Sequence, residues 1–406
     1  MTHILCNRRF PRVVIASGSP FYRNGGRVWL PAIEWKSLQQ WWEFLDDVVL
    51  LKPEFESPQV PDGWVELVEK IGVHRLCLHG DRYFARKRAA LHEACELLRQ
   101  SDVLLARMPY YETAWCYQVA KKKRMRFVLE SHGDWETSVL EEDKNTLLRK
   151  ATRRFRASAN RRAVLEMTAN ATCVLGVGPE LVNKWVPENV PSLVSTNHLL
   201  SAGEYCRRED FSLKMPPRIL FVGDMQRRKG LHILFEALFI LKNSGRPFLM
   251  VLVGAGPMIE ELNDYASLNG FQSSVQFTGK VPHGPQLYEY FRQSDVFILP
   301  SVAAEGVPRV THEAMAFGCP VIATDIGSVS WQLQGGAGII VPPGNTDSLA
   351  RAICRVLDDA VLRRNLSQKG FQRSVDYTYE KQKVRIAEFV RTCINNGTSD
   401  SKRSRS

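Results

Sequence analysis

The stretch Asp295–Thr324, DVFILPSVAAEGVPRVTHEAMAFGCPVIAT, decides the fold of this chain. It begins with the apolar run Val296–Leu299 and ends with a second run, Pro320–Ala323, and both have the length and β-branched character of buried strands. Between the runs lie a loop and then a helix, which has apolar residues at helical spacing and stops at Gly318. The stretch therefore predicts a strand–loop–helix–strand unit of a doubly wound parallel sheet.

Two carboxylates follow the first strand of this unit: Glu305 in the loop and Glu313 in the helix. In doubly wound sheets, ligands bind at the carboxyl ends of the strands. The first turn of the helix also offers free N–H groups and the positive end of the helix dipole, which suit an anionic ligand. This end of the sheet is therefore a candidate ligand site.

Three segments of this stretch, Glu305–Pro308, Glu313–Ala316 and Gly318–Ile322, together resemble the E-x7-E signature of family-4 retaining glycosyltransferases. These enzymes use nucleotide-sugar donors and have the GT-B fold. The resemblance implies an α/β protein with two Rossmann-like doubly wound domains that face a central cleft.

The same resemblance assigns roles to individual residues. It implies that Glu305 binds hydroxyls of the donor sugar and that Glu313 holds the hydroxyls of the donor ribose. Gly306 and Val307 lie beside Glu305 and belong to the same expected donor site.

The loop 223–230, GDMQRRKG, follows another apolar strand and is similar to the family's G-R-x-x-x-x-K-G loop, whose arginine and lysine hold the donor diphosphate. Lys229 fits this pattern, but Asp224 stands where the arginine is usual. Arg227 or Arg228 would then have to replace that arginine. Cations are needed here because cleavage of the sugar–phosphate bond develops negative charge on the diphosphate.

Two glycine turns are further candidates for contact with the donor. Gly223 begins the loop just described, and Gly254 begins the turn GAGP after the strand Phe248–Val253. The second turn lacks the third glycine and the acidic residue of a dinucleotide fingerprint, so it does not predict an NAD site. By resemblance, the loop 280–283 after the strand Val275–Gly279 lies beside the nucleotide base.

The first half of the chain alternates apolar strands with helical stretches, which predicts a second parallel sheet. The predicted strands are Arg12–Ala16, Val48–Leu51, Asp102–Ala106, Arg126–Glu130 and Thr172–Val177. A glycine-rich loop with Gly25 and Gly26 follows the first strand and is expected to lead into a helix near Trp29–Trp42. In the resembling family, a loop at this place faces the donor diphosphate and the acceptor.

His132 follows the strand Arg126–Glu130. By default a histidine in such a loop is a turn residue, but the family places a histidine here that touches the hydroxyls of the donor sugar. His132 is therefore expected to be a catalytic residue together with Lys229 and Glu305. Asp134 is a further candidate, either for holding the acceptor or for orienting His132.

The chain of 406 residues is too long for one core, so two domains are expected. We predict an N-terminal acceptor-binding domain at 1–200, a linker at 201–217 and a C-terminal nucleotide-sugar-binding domain at 218–375. A helix at 376–395 is expected to cross back to the first domain, and the tail 396–406 is expected to be disordered.

The cysteine pattern suits a reducing compartment. The 9 cysteines are scattered singly, which argues against a zinc site and against a disulfide framework. No apolar run approaches the ~18 residues of a membrane span, and the N-terminus does not resemble a signal peptide. The expected location is the cytoplasm, with peripheral contact at the inner face of the membrane.

The formal net charge of +11 favours anionic partners. Much of this charge lies at 144–162, which contains eight basic residues and no acid and reads as an amphipathic helix. Three interpretations of this helix stay open: its basic face is simply solvated, it contacts an anionic membrane or a lipid-phosphate acceptor, or it contacts nucleic acid. No nucleic-acid motif accompanies it, so nucleic acid is not expected as a partner.

The resemblance implies a retaining glycosyltransferase of the hexosyltransferase type, which transfers sugar from a nucleotide-diphosphate-sugar donor to a saccharide or lipid-linked acceptor. The sequence has no Asp-x-Asp motif, so neither a metal nor another cofactor is expected. Two alternatives stay open: a nucleotide-sugar 2-epimerase-like isomerase of the same fold, and a non-catalytic protein that binds sugar nucleotides.

Overall fold

The structure is a computed structural model, and it describes residues 11–42, 45, 47–57, 59–61, 63–68, 71–79, 81–136, 147–303 and 305–403. The chain divides into two compact units. Unit 1 comprises residues 1–197 and 382–406, and unit 2 comprises residues 198–381.

The strands of unit 1 form one mixed sheet in the order β10-β9-β8-β7-β1-β4-β2-β3-β5, with β6 also paired to β4. They are β1 (Val13–Ala16), β2 (Phe21–Asn24), β3 (Arg27–Pro31), β4 (Val48–Phe55), β5 (Trp64–Glu66), β6 (Gly72–Leu78), β7 (Val103–Met108), β8 (Arg126–Ser131), β9 (Cys173–Val177) and β10 (Ser192–Ser195). The helices are α1 (Ala32–Trp42), α2 (Tyr83–Leu97), α3 (Tyr111–Lys122), α4 (Leu147–Ala169) and α5 (Pro179–Trp185). The central strands are parallel and buried, because helices connect them and cover both faces.

The predicted strands at β1, β4, β7, β8 and β9 are confirmed, but the helix predicted near Trp29–Trp42 starts too early. Trp29 lies in β3, which pairs antiparallel with β2, and α1 begins only at Ala32. Gly25 and Gly26 form the hairpin turn between these strands, with φ values of 54° and 80°. Two successive residues with positive φ favour a tight hairpin over a loop that enters a helix.

Unit 2 contains an all-parallel sheet in the order β13-β12-β11-β14-β15-β16. Its strands are β11 (Arg218–Val222), β12 (Leu249–Val253), β13 (Val275–Gly279), β14 (Val296–Leu299), β15 (Val321–Thr324) and β16 (Ile339–Val341). Its helices are α6 (Leu231–Asn243), α7 (Ile259–Leu268), α8 (Pro285–Gln293), α9 (Arg309–Ala316), α10 (Val329–Gln332), α11 (Thr346–Asp358) and α12 (Ala360–Val375). The predicted strand–loop–helix–strand unit is confirmed as β14, α9 and β15, and β14 pairs with β15 in parallel.

The segment 201–217, predicted as a linker, lies within unit 2. The amide of Cys206 donates to the carbonyl oxygen of Ala316 at 3.1 Å, and the amide of Lys214 donates to Asp295 Oδ2 at 3.2 Å. These bonds attach the segment to α9 and to the start of β14, although its polar composition resembles that of a connection.

The last helix, α13 (Tyr379–Arg403), begins in unit 2 and continues in unit 1. Its residues Ile386, Val390 and Ile394 are buried in the same core cluster as β1, β4 and β8. A short break separates α13 from α12, and α13 runs through most of the tail that the sequence predicts to be disordered. The prediction for 404–406 lies outside the described residues.

Candidate functional site

The strand order of unit 2 fixes the place of a ligand site. The chain winds outward from β11 in one direction and from β14 in the other, so the strand order reverses between these two neighbours. In such sheets, ligands bind at the carboxyl ends of the two strands where the order reverses. The loop 223–230 follows β11, and residues 300–303 and 305–308 follow β14. The amide of Val302 joins these segments by donating to the carbonyl oxygen of Arg228 at 2.9 Å.

Lys229 and Glu305 meet at this point. The Lys229 ammonium contacts Glu305 Oε1, and Ser301 Oγ donates to the same oxygen at 2.7 Å. An Arg228 guanidinium nitrogen lies 3.7 Å from it. Lys229 and Glu305 are largely buried, whereas Arg228 is partly exposed. The structure therefore brings together a carboxylate and two cations that were predicted from separate segments of sequence.

Backbone packing at this place requires glycine. Gly230 has a φ of 67°, and a Cβ atom there would lie 1.9 Å from the carbonyl oxygen of Pro300. Gly254 has a φ of 136°, and a Cβ atom there would lie 2.0 Å from the carbonyl oxygen of Gly223. The loops after β11, β12 and β14 can approach one another this closely only because side chains are absent.

Arg227 and Arg228 point in different directions. Arg227 pairs with Glu261 of α7 at 3.0 Å, and both side chains are exposed. Arg228 lies beside Glu305 instead, while Asp224 is exposed. Of the two arginines considered as replacements at position 224, the geometry favours Arg228.

Glu313 is buried on α9 and faces His283, in the loop between β13 and α8. Glu313 Oε1 lies 3.2 Å from His283 Nε2. The Tyr288 hydroxyl lies 3.5 Å from His283 Nδ1 and donates to Glu204 Oε1 at 3.1 Å. A row of polar groups therefore runs from Glu204 to Glu313 at the carboxyl end of this sheet.

In unit 1, His132 follows β8 and joins a buried ion pair. Arg107 Nε donates to Glu130 Oε2 at 2.8 Å, and an Arg107 terminal nitrogen lies 3.1 Å from His132 Nε2. His132 Nε2 also lies 3.3 Å from Glu130 Oε1. Burial raises the pKa of Glu130, but the positive charge of Arg107 and hydrogen bonds from His132 and Arg107 outweigh this effect and lower the pKa to about 2. Glu130 is therefore ionised and fixes His132.

A second buried pair lies at the same edge of this sheet. Lys52 of β4 has no exposed surface, and its ammonium donates to Glu34 Oε1 at 2.5 Å. Ser17 and Ser19, in the loop after β1, also donate to Glu34. Burial raises the pKa of Glu34, but the charges of Lys52 and Arg107 outweigh it, and the pKa is lowered overall.

The other predicted residues of unit 1 lie apart from these pairs. Asp134 Oδ2 accepts from Lys184 at 2.5 Å, and Asp134 Oδ1 accepts from the amide of Glu136 at 3.1 Å. Gly25 and Gly26 lie at the tip of the hairpin, where a Cβ atom would meet nothing within 4 Å. The structure thus pairs Asp134 with Lys184, and the role predicted for Asp134 stays a prediction.

Sequence reasoning missed Arg107, Glu130, Glu34 and Lys52. It placed His283 in the loop expected beside the base but gave its side chain no role. Arg107 and Lys52 did carry a signal, because each is a cation inside an apolar strand, in VLLARM and VVLLKPEF. A cation in such a run needs a buried partner. The partners could not be found from sequence, since they lie on other elements.

Residues 216–359 match the family model described as "Glycosyl transferases group 1". The chain is 31% identical over 164 residues to the alpha-D-kanosaminyltransferase of Streptomyces kanamyceticus, and this match covers 40% of this chain and 42% of that protein. It is 28% identical over 225 residues to the phosphatidyl-myo-inositol mannosyltransferase of Mycobacterium leprae, and this match covers 52% of this chain and 58% of that protein. The chain therefore spans roughly half the length of these relatives.

Solved structures resemble nearly the whole chain. Sucrose-phosphate synthase from Thermosynechococcus elongatus has a TM-score of 0.71 at 18% identity and covers 95% of this chain and all of its own (100%). Anabaena HepE in complex with UDP has a TM-score of 0.67 at 16% identity and covers 94% of this chain and 100% of its own. These likenesses confirm the predicted GT-B fold. Among the described residues, no helix combines the length and apolar character needed to cross a membrane.

Proposed function

We propose that this chain, with its group 1 glycosyltransferase domain, is a retaining, metal-independent glycosyltransferase. It would transfer sugar from a nucleoside-diphosphate sugar to a saccharide or lipid-linked acceptor in polysaccharide or glycolipid biosynthesis. The observation that carries the proposal is the cluster of Lys229, Arg228 and Glu305 where the strand order of unit 2 reverses. Family 4 is the family that the signature Glu305 to Glu313 favours.

In this proposal, each group has a separate task. Lys229 and Arg228 bind the donor diphosphate, and Glu305 accepts hydrogen bonds from hydroxyls of the donor sugar. Glu313 holds the ribose, and His132 of unit 1 contacts the sugar hydroxyls. Both cations lie beside one carboxylate, so the site offers charge for the diphosphate and an acceptor for hydroxyls within a few ångströms.

The reaction would break the bond between the anomeric carbon and the diphosphate oxygen and form a bond from that carbon to the acceptor oxygen on the same face of the sugar. The departing phosphate oxygen would take the proton of the acceptor hydroxyl. Negative charge therefore grows on the diphosphate, and the cations Lys229 and Arg228 stabilise it without a metal ion. One well-placed donor of this kind lowers the barrier by about 3–4 kcal/mol.

Arg154 and Arg162, exposed on α4, support the further proposal that the protein contacts an anionic membrane surface from the cytoplasm. Residues 144–146 of the basic stretch lie outside the described residues. A lipid-linked acceptor would be found at such a surface.

The test begins with melting temperatures in the presence of UDP, GDP and ADP, since a ligand that binds only the folded state raises the melting temperature. Donor cleavage is then measured with sugars of the preferred nucleotide and a cell extract that supplies acceptors. Lys229→Ala and Glu305→Gln should each lower turnover by about 100-fold or more. Arg228→Ala should have a larger effect than Arg227→Ala, because Arg227 pairs with Glu261. Lys242→Ala, at an exposed position of α6, is the matched control.

Near-normal turnover in Lys229→Ala or Glu305→Gln would refute the site. Release of an epimerised sugar nucleotide without any glycoside would favour the isomerase. Donor binding without cleavage in the presence of the extract would favour a non-catalytic binding protein.

A further inference from the structure

His283 lies in a loop at the carboxyl end of the unit 2 sheet, directly before α8. Its side chain is 18% exposed, and its Nε2 atom is buried. Nε2 has no well-aligned hydrogen-bond partner among the described residues, but it lies 3.2 Å from Glu313 Oε1. In the tautomer with its proton on Nε2, this N–H group faces Glu313 Oε1, and a buried N–H group without a bond is costly.

The opposite side of the His283 ring is also held. The Tyr288 ring packs edge-on against it at a centroid distance of 5.4 Å, and the Tyr288 hydroxyl lies 3.5 Å from Nδ1. That hydroxyl donates to Glu204 Oε1 at 3.1 Å, and Glu204 Oε2 accepts from the amide of Ser201 at 2.7 Å. Burial and the negative charge of Glu204 raise the pKa of Tyr288, so the hydroxyl keeps its proton and remains a donor.

We propose that His283 is a positioning residue for donor recognition. Its Nε2–H group holds Glu313 Oε1 so that Oε2 is directed to a ribose hydroxyl, and the edge-on Tyr288 ring, whose hydroxyl is bonded to Glu204, keeps the imidazole in place. This inference rests on the proposed function, because it assigns Glu313 to the ribose. A carboxylate with one oxygen fixed binds a hydroxyl without losing rotational freedom at that moment, which improves affinity. A purely structural histidine would stabilise α8 and the loop but would not distinguish nucleotides by their ribose.

The test measures that distinction. Dissociation constants are determined by calorimetry for UDP, GDP and ADP, and then for the 2′-deoxy and 3′-deoxy analogues of the tightest binder. His283→Ala should weaken the ribonucleotide by about tenfold, as expected for losing one hydrogen bond to a charged group. It should leave the affinity for the deoxy analogue that lacks the recognised hydroxyl nearly unchanged.

Further variants separate positioning from folding. His283→Gln keeps an N–H donor and should recover part of the affinity, and Tyr288→Phe should weaken the ribonucleotide less than His283→Ala does. The double variant His283→Ala/Glu313→Ala should bind no more weakly than Glu313→Ala alone, because the two residues act in series. His92→Ala, at an exposed position of α2, is the matched control.

Equal weakening of the ribonucleotide and both deoxy analogues by His283→Ala would overturn the inference, as would additive effects of His283→Ala and Glu313→Ala. If Glu313→Ala distinguishes the analogues and His283→Ala does not, only this inference fails. If Glu313→Ala does not distinguish them either, the role of Glu313 in the proposed function fails as well.

Discussion

Two histidines are stacked in the interior of unit 2. The rings of His198 and His312 lie 3.6 Å apart and nearly parallel, and both are fully buried. The Tyr205 hydroxyl lies 2.6 Å from His312 Nε2. Burial lowers the pKa of His312 to about 3. Burial also lowers the pKa of His198 well below its usual value, and the repulsion that two protonated rings would feel and the positive charge of Arg309 lower it further. Both rings are therefore neutral at pH 7.

This pair makes the stability of unit 2 depend on pH. The folded-state pKa of His312 is lowered, so its contribution is complete above the unfolded-state pKa of about 6.5 and is lost as the pH falls toward 3. At pH 4.5 the loss is about 2–3 kcal/mol for this residue. His312→Gln should be less stable than the parent at pH 7 but should lose less stability between pH 7 and pH 4.5. Urea denaturation at both pH values measures the difference.

Measuring the stability at pH 4.5 separates the loss caused by His312 from the loss caused by protonation of carboxylates such as Glu130. The pKa of Glu130 is lowered to about 2, so its contribution is lost mainly below the unfolded-state value of about 4.3. His92→Gln, at an exposed position, is the control and should follow the parent. If His312→Gln and the parent lost equal unfolding free energy between pH 7 and pH 4.5, His312 would not be the source of this pH dependence.

Single residues also show which parts of the candidate site can be predicted from the sequence. Lys229 and Glu305 could be predicted because each follows a strand in a loop of recognisable pattern, and parallel strands place such loops at one edge. The pairing of Arg107 with Glu130 could not be predicted, because it depends on β7 lying beside β8. The contact between His283 and Glu313 likewise joins a loop to the helix α9, which are separated in the sequence by α8 and β14.

At the scale of elements, the sequence predicted the ends of helices and strands correctly where a turn residue such as glycine stops the element. The helix α9 stops where Gly318 adopts a φ of 62°, and β13 and β14 have the predicted bounds. The strands β3 and β5, which end one side of the unit 1 sheet, were missed because they pair antiparallel and mix polar with apolar residues. Such strands form through pairing with neighbours more than through intrinsic propensity.

The helix α13 contributes buried side chains to the core of unit 1. Val390 is buried among residues of the central strands, whereas Val384 on the same helix is 47% exposed. Val390→Asp should lower the free energy of unfolding by about 3 kcal/mol or more, because it buries an unpaired charge. Val384→Asp should change it by less than about 0.5 kcal/mol. Urea denaturation and limited proteolysis compare the two, and similar losses in both variants would show that α13 does not complete this core.

At the scale of the whole molecule, charge is distributed unevenly. The formal net charge is +11, and α4 contributes exposed arginines at 154 and 162. Phe155 of the same helix is 78% exposed. Because Phe155 and Arg162 are seven residues apart, they lie on one face of α4. An exposed aromatic ring beside cations is typical of a helix that lies at a membrane surface.

We therefore expect the protein to bind vesicles of phosphatidylglycerol and phosphatidylcholine in co-sedimentation, and not vesicles of phosphatidylcholine alone. Each basic residue near an anionic surface contributes about 1 kcal/mol, and the attraction falls within a Debye length, so binding should weaken strongly in 0.5 M salt. Arg154→Glu/Arg162→Glu should lower the vesicle affinity by at least about 100-fold. Arg351→Glu/Arg355→Glu, on an exposed face of α11, makes the same change in net charge and should retain most of the binding. Equal losses in both double variants would show that net charge, rather than the face of α4, governs the attraction, and binding to neither kind of vesicle would leave that face as a solvated surface.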